Sequence, residues 1–141
     1  VPHHALPSAD GGIYHSFVWG RCRFIVTDCR SYKSNPADPD GPDKTMLGVE
    51  QKAWFKEQVR TATEPVIFWL MDVPWTTETT NPDDEWTLYG AEQTELADYI
   101  STRGKANKTI VVHGDMHSIA AHNGVRPYQS AAWMSAPVPG V

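Results

Sequence analysis

His113-Gly114-Asp115-Met116-His117 directly follows the apolar run Thr109-Ile110-Val111-Val112. In extended backbone residues 113, 115 and 117 share one face. An imidazole, a carboxylate and an imidazole on one face suit a transition metal or a zinc-like ion. Gly114 permits the chain to leave the extended path, and then Asp115 and His117 remain the better pair. His122 lies five residues beyond His117. Spacing alone leaves a metal site and a turn with surface histidines equally open. Asp28-Cys29-Arg30 closes a second apolar run. Asp28 and Arg30, two apart, share a face and can form a structural ion pair. The functional alternative makes Arg30 an anion clamp, because its planar fork matches phosphate oxygens. Asp72 closes a third apolar run, just before Val73-Pro74. It is either a loop cap or an active-site carboxylate.

Other chemistries find less support. There is no P-loop, no G-x-S-x-G and no G-x-G-x-x-G, and no lone serine or cysteine nucleophile is marked out. Cys22 and Cys29 lie seven apart, in no zinc-ribbon spacing. On one strand that odd offset puts them on opposite faces, so they read as two small buried hydrophobes rather than a disulfide. Asp38, Asp40 and Asp43 sit among Pro36, Pro39, Gly41 and Pro42. Clustered carboxylates suit calcium, but the EF-hand register fails and a solvated acidic loop is expected. Of six tryptophans, Trp54 and Trp69 fit core positions. Trp75 and Trp86 flank a polar loop and offer either core anchors or a carbohydrate-gripping face. The alternative function is therefore a non-catalytic carbohydrate- or protein-binding module built on those loop tryptophans.

The elements that must position these residues can be read from periodicity. Ile13 to Trp19 and Arg23 to Thr27, joined at Gly20-Arg21, form a hairpin, the second strand apolar enough for a central place. From Gly48, Phe55, Val59 and Ala62 recur at helical spacing, with Trp54 widening the stripe and Pro65 as the stop. Residues 65–71 are a buried strand. Glu92 to Arg103 is a second helix with Leu96, Tyr99 and Ile100 inward and Gly104 just past its end. Thr109 to His113 is the last clear strand, and Asn123-Gly124 marks a turn between two short ones. The alternation of helices and apolar strands gives an α/β class with a mixed sheet and two helices. Ligand sites in such sheets gather where strands end. The 141 residues suit one domain or part of one. With 12 Lys and Arg against 17 Asp and Glu, the net charge of −5 carries no basic footprint for nucleic acid. No apolar run reaches the ~18 residues of a membrane span.

The order of these features resembles the PhoD-like phosphatases, the alkaline phosphatase D family of metallophosphatases. Asp28-Cys29-Arg30-Ser31-Tyr32-Lys33 is similar to the family's Asp-Thr-Arg-x-Tyr-Arg stretch. Thr45-Met46-Leu47-Gly48-Val49-Glu50-Gln51-Lys52-Ala53-Trp54-Phe55 resembles its T-M-L-G-x-x-Q-x-x-W-L signature, the most specific piece. Asp84-Glu85-Trp86, Tyr89 and Glu92 resemble D-x-W-x-x-Y-x-x-E-R, and Asn107 with Gly114-Asp115-Met116-His117 resembles the N-to-G-D-x-H end. Lys33 and Gln93 stand where the family has Arg, and His113 where it has a small residue.

The resemblance implies part of a four-layer αββα metallophosphatase sandwich, two sheets face to face with flanking helices. It implies hydrolysis of small-molecule phosphate mono- or diesters by metal-activated water, with calcium and iron in the best-known members and zinc or manganese as alternatives. The late strand-end motif supplies metal ligands in the wider superfamily, which carries over to Asp115 and His117. Arg30 and Asp72 become the candidate catalytic residues, Asp72 because related enzymes put a ligand before a proline. The family's early motifs find no counterpart in residues 1–20. Residues 1–141 are thus expected to be a single, partial domain, its C-terminal portion, holding part of the site. Family members are often exported, to periplasm, cell wall or medium, and that is the expected compartment.

Overall fold

A computed structural model describes residues 12–75 and 85–115. Two strands open it, β1 (His15–Trp19) and β2 (Cys22–Val26), paired antiparallel with Trp19 opposite Cys22. The two-residue connection turns on Gly20, whose φ of 59° lies where a Cβ is unwelcome. A long loop leads to α1 (Gly48–Thr61), then β3 (Val66–Met71), α2 (Gly90–Thr102) and β4 (Thr109–His113). The sheet order is β1-β2-β3-β4, with β2, β3 and β4 parallel. This is the mixed α/β sheet expected from the sequence. Gly104 follows α2 at φ 65°, and its N–H donates to Ser101 O, as a C′ glycine does.

The helix-side face of the sheet presents Ile25, Ile67, Trp69 and Met71. Phe55 and Val59 of α1 and Leu96, Ala97 and Ile100 of α2 close over them. Trp69 is central: its ring lies 4.3 Å from Phe55, 4.7 Å from Trp75 and 6.1 Å from Trp86, centroid to centroid. Its indole N–H donates to Thr27 Oγ1 at 3.0 Å. Tyr99 was expected inward, but it stays half-buried at the helix flank under Arg103 and Lys56.

The other face differs from expectation. As an inner strand β2 should be covered on both sides, yet Cys22, Phe24 and Val26 are only half-buried. The same face carries Phe17, Phe68, Leu70 and Ile110 in register. Phe17, Phe24 and Phe68 stack into a ladder across three strands, with centroids 4.9 and 5.0 Å apart and rings within 6° and 11° of parallel. An apolar face of this kind is the inner face of a two-sheet sandwich, of which this sheet with its helices is one half.

The proline-rich loop is not simply solvated. Lys44, buried, donates from Nζ to Pro36 O at 2.8 Å and Asp38 O at 2.7 Å, and lies 4.8 Å from the Tyr89 ring centroid. Asp40 accepts the Ala91 N–H at 3.1 Å at the start of α2, where a carboxylate is favoured. Lys44→Met is expected to cost about 2 kcal/mol, because two inward carbonyls lose their donor. Urea unfolding at neutral pH checks this, and an unchanged midpoint would rule out the clamp.

Candidate active site

Because β2, β3 and β4 run parallel, their carboxyl ends lie along one edge. Three polar segments leave from that edge: Asp28-Cys29-Arg30 after β2, Asp72 after β3 and Gly114-Asp115 after β4. The ladder persists just past the strands, with Thr27 N–H donating to Leu70 O at 2.9 Å and Gly114 N–H to Met71 O at 3.3 Å. Register therefore brings the segments level.

Arg30 joins them. Its Nη2 donates to Asp115 Oδ2 at 2.9 Å, across 85 residues of sequence, and its Nε lies 3.4 Å from Asp72 Oδ2. All three side chains are roughly half exposed. At that exposure the attraction adds little to stability, so the meaning of the cluster lies in its geometry. Asp72 is further held by the Cys29 N–H, which donates to Oδ1 at 3.1 Å. The structure thus brings together Arg30, Asp72 and Asp115, and His117 lies outside the described residues, as do His122 and the Asn123-Gly124 turn.

Asp28 has a different part from the one expected. Its carboxylate accepts from Ser31 Oγ (2.6 Å), Ser31 N (3.0 Å), Arg30 N (3.0 Å) and Ile13 N (3.2 Å). Burial alone would raise its pKa, but these hydrogen bonds outweigh burial and hold the carboxyl below the ordinary carboxylate range. Asp28 is consumed by its own turn, and Arg30 reaches across the sheet edge. Asp115 sits at φ 66°, in the left-handed region that Asp tolerates better than most residues. That break ends the strand alternation, so His113 stays on the helix-side face beside Met71 while Asp115 swings to the edge. His113 and Asp115 therefore do not share the face that extended geometry would give them.

Cys29, fully buried between the sheet and Trp86, is kept from ionising by burial first and by the neighbouring Asp72 carboxylate second. It is a packing residue, and Cys22 is likewise a free thiol. Trp75 and Trp86 are 2% and 0% exposed, packed 4.8 Å apart in the core. They present no ring face to a ligand, which removes the carbohydrate-gripping role the sequence left open. Their function is to brace the segment after Asp72: Trp86 N–H donates to Pro74 O at 3.3 Å and Gln93 Nε2 to Trp75 O at 2.6 Å.

Sequence reasoning named the buried polar residues behind the edge only as parts of family motifs and gave them no structural role. Gln51, Glu92 and Gln93 all face inward. Glu92 accepts from Thr45 Oγ1 at 3.0 Å and from Met46 N–H, and Lys52 Nζ lies 3.8 Å away. Burial raises its pKa, with the two hydrogen bonds and Lys52 opposing. Thr45 Oγ1 in turn accepts the Gly48 N–H at 2.8 Å, and Gly48 has φ 74° with Tyr32 where a Cβ would stand. The T-M-L-G turn is thus fixed from α2. Gln51 stands four residues before Phe55, and that spacing is the signal that could have placed it on the inward face. Among the described residues no three His, Cys, Asp or Glu gather closely enough to hold a metal ion alone. No helix there is long and apolar enough to cross a membrane.

The family described as PhoD-like phosphatase matches residues 1–136. The chain is 25% identical over 138 residues to alkaline phosphatase D of Bacillus subtilis (strain 168), covering 84% of this chain and 24% of that protein. It also resembles a solved structure of PhoD, with TM-score 0.64 and 25% identity over 74% of this chain and 23% of the other. It spans about a quarter of the length of either relative.

Proposed function

The chain belongs to the PhoD-like phosphatase family, and from that premise we propose that its strand-end edge is part of a metal-dependent phosphoesterase site. The observation that carries this reading is the convergence of Arg30, Asp72 and Asp115 at the carboxyl ends of three parallel strands. Two carboxylates gathered about one cationic group supply part of a donor set for a metal cation. Their oxygens suit a hard ion such as calcium, and His117 would add the imidazole that iron, zinc or manganese sites use. When bound, such an ion polarises a phosphoryl oxygen and yields hydroxide near neutral pH.

The chain's own residues would then divide the work. Asp72 and Asp115 are the metal-facing carboxylates, with Asp72 oriented by the Cys29 N–H. Arg30, released from them, would grip the phosphoryl oxygens with its planar fork and neutralise charge that grows during transfer. Small phosphate mono- or diesters are the substrate class, and an exported location is the compartment we assign. The described donors are fewer than a closed metal site requires, so the isolated 141 residues, a single partial domain in this reading, are expected to turn over little.

The test uses the natural protein that carries these residues. It should hydrolyse p-nitrophenyl phosphate, lose that activity to a chelator and regain it with added metal. Phosphate release that is indifferent to chelator would overturn the metal-dependent reading.

A further inference from the structure

The T-M-L-G-x-x-Q signature touches neither Asp72 nor Asp115, yet its glutamine is wired to the segment that does. Gln51, fully buried on α1, accepts the Asp28 N–H on Oε1 at 2.7 Å. Its Nε2 donates to Asp28 O at 2.8 Å and to Leu47 O at 3.0 Å. Both backbone groups of one residue, the one that leaves the β2 edge, are therefore held by a single side-chain amide. An amide can do this because it carries donor and acceptor at fixed spacing, as a paired strand does. From the fixed Asp28 the rest follows in order. Its carboxylate takes the Arg30 and Ser31 N–H groups and sets the turn. The turn aims Cys29 N–H at Asp72 Oδ1, and Arg30 at Asp72 and Asp115.

We infer that Gln51 is a positioning residue for the Arg30–Asp72 pair, acting through the backbone of Asp28 without touching substrate. The inference rests on the phosphoesterase reading only for its effect on catalysis, since the geometric claim stands apart from it.

Gln51→Glu keeps the acceptor and the shape but loses the donors that hold Asp28 O and Leu47 O. Gln51→Leu removes both functions at similar volume. Selective 15N labelling of arginine in the chelator-treated protein, where Arg30 pairs with Asp72 and Asp115, gives a resonance for each Nε–H. Arg23 is the internal reference, because Glu64 holds it by a two-point pair (2.9 and 3.1 Å) at the other end of β2. In Gln51→Glu the Arg30 Nε–H signal is expected to move and broaden toward an unpaired guanidinium, while Arg23 stays put. kcat for p-nitrophenyl phosphate is expected to fall roughly 10–100-fold, the range for loss of an orienting partner, with KM little changed. An unmoved Arg30 signal in both variants would overturn the inference. So would equal loss of both arginine signals, which would mean that Gln51 only supports the fold. A moved Arg30 signal with full activity would uphold the positioning but overturn its effect on catalysis, whereas a parent that does not hydrolyse p-nitrophenyl phosphate would sink the phosphoesterase reading instead.

Discussion

Asp115→Asn is expected to lower kcat/KM for p-nitrophenyl phosphate by more than roughly 100-fold, beyond the usual loss when only an outer partner of a metal ligand is removed. Asparagine is the informative choice. It tolerates the left-handed backbone at φ 66° and can still accept from Arg30 Nη2, so the loop should keep its course. What it removes is the negative charge that would face a metal ion. Because the Arg30–Asp115 pair is half exposed, stability should shift by less than about 0.5 kcal/mol. A large loss of rate with an unchanged melting curve is thus the signature, and metal content should fall with it. His117→Ala is expected to behave alike. Activity within a few-fold of the parent in both variants would remove these residues from the site.

The largest effect on stability is expected at Trp69. Trp69→Ala should cost about 3–5 kcal/mol, as truncation of a large buried aromatic does. Its ring touches the Phe55, Trp75 and Trp86 rings at once, so no single neighbour can collapse into the space. Such a loss is a large share of a domain's total stability. Trp69→Phe should cost nearer 1–3 kcal/mol, the range for a lost buried hydrogen bond, here the one to Thr27. Chemical denaturation of both variants checks the order. A cost below about 1 kcal/mol for alanine would contradict the packing described. Since Trp75 sits three residues beyond Asp72, Trp69→Ala should also loosen the strand-end edge.

The strands and helices were legible because each obeys a short-range rule. The Gly20 turn, the Phe55–Val59–Ala62 stripe and the apolar run before His113 all declare themselves within one element. Three of the candidate catalytic and metal residues, Arg30, Asp72 and Asp115, could be picked out as polar groups just past apolar runs. That the three meet could not be read from spacing, since the meeting depends on parallel register across 85 residues. The tryptophans misled for a related reason. A loop tryptophan beside polar residues looks the same in sequence whether it faces solvent or, like Trp86, turns wholly inward. The backbone break at Asp115 was foreseen as an option at Gly114, one residue early. Gln51 and Glu92 were hidden because a polar residue on a helix reads as solvent-facing until the surface opposite it is known. Even the family motifs gained meaning only in three dimensions. Tyr89 and Glu92 serve there to fasten loops, Tyr89 by donating to Ser34 O and Glu92 by holding Thr45 and Met46.

The spatial order β1-β2-β3-β4 repeats the order of synthesis. Each strand can therefore join the edge left by the one before, as the chain leaves the ribosome, without waiting for a distant partner. The aromatic ladder lengthens in the same sequence, Phe17, then Phe24, then Phe68. Until a second sheet covers it, that widening apolar face is a hazard of the kind that chaperones exist to shield. The flat stacking that suits the ladder to meet a second sheet is also what would let two unfinished chains meet each other.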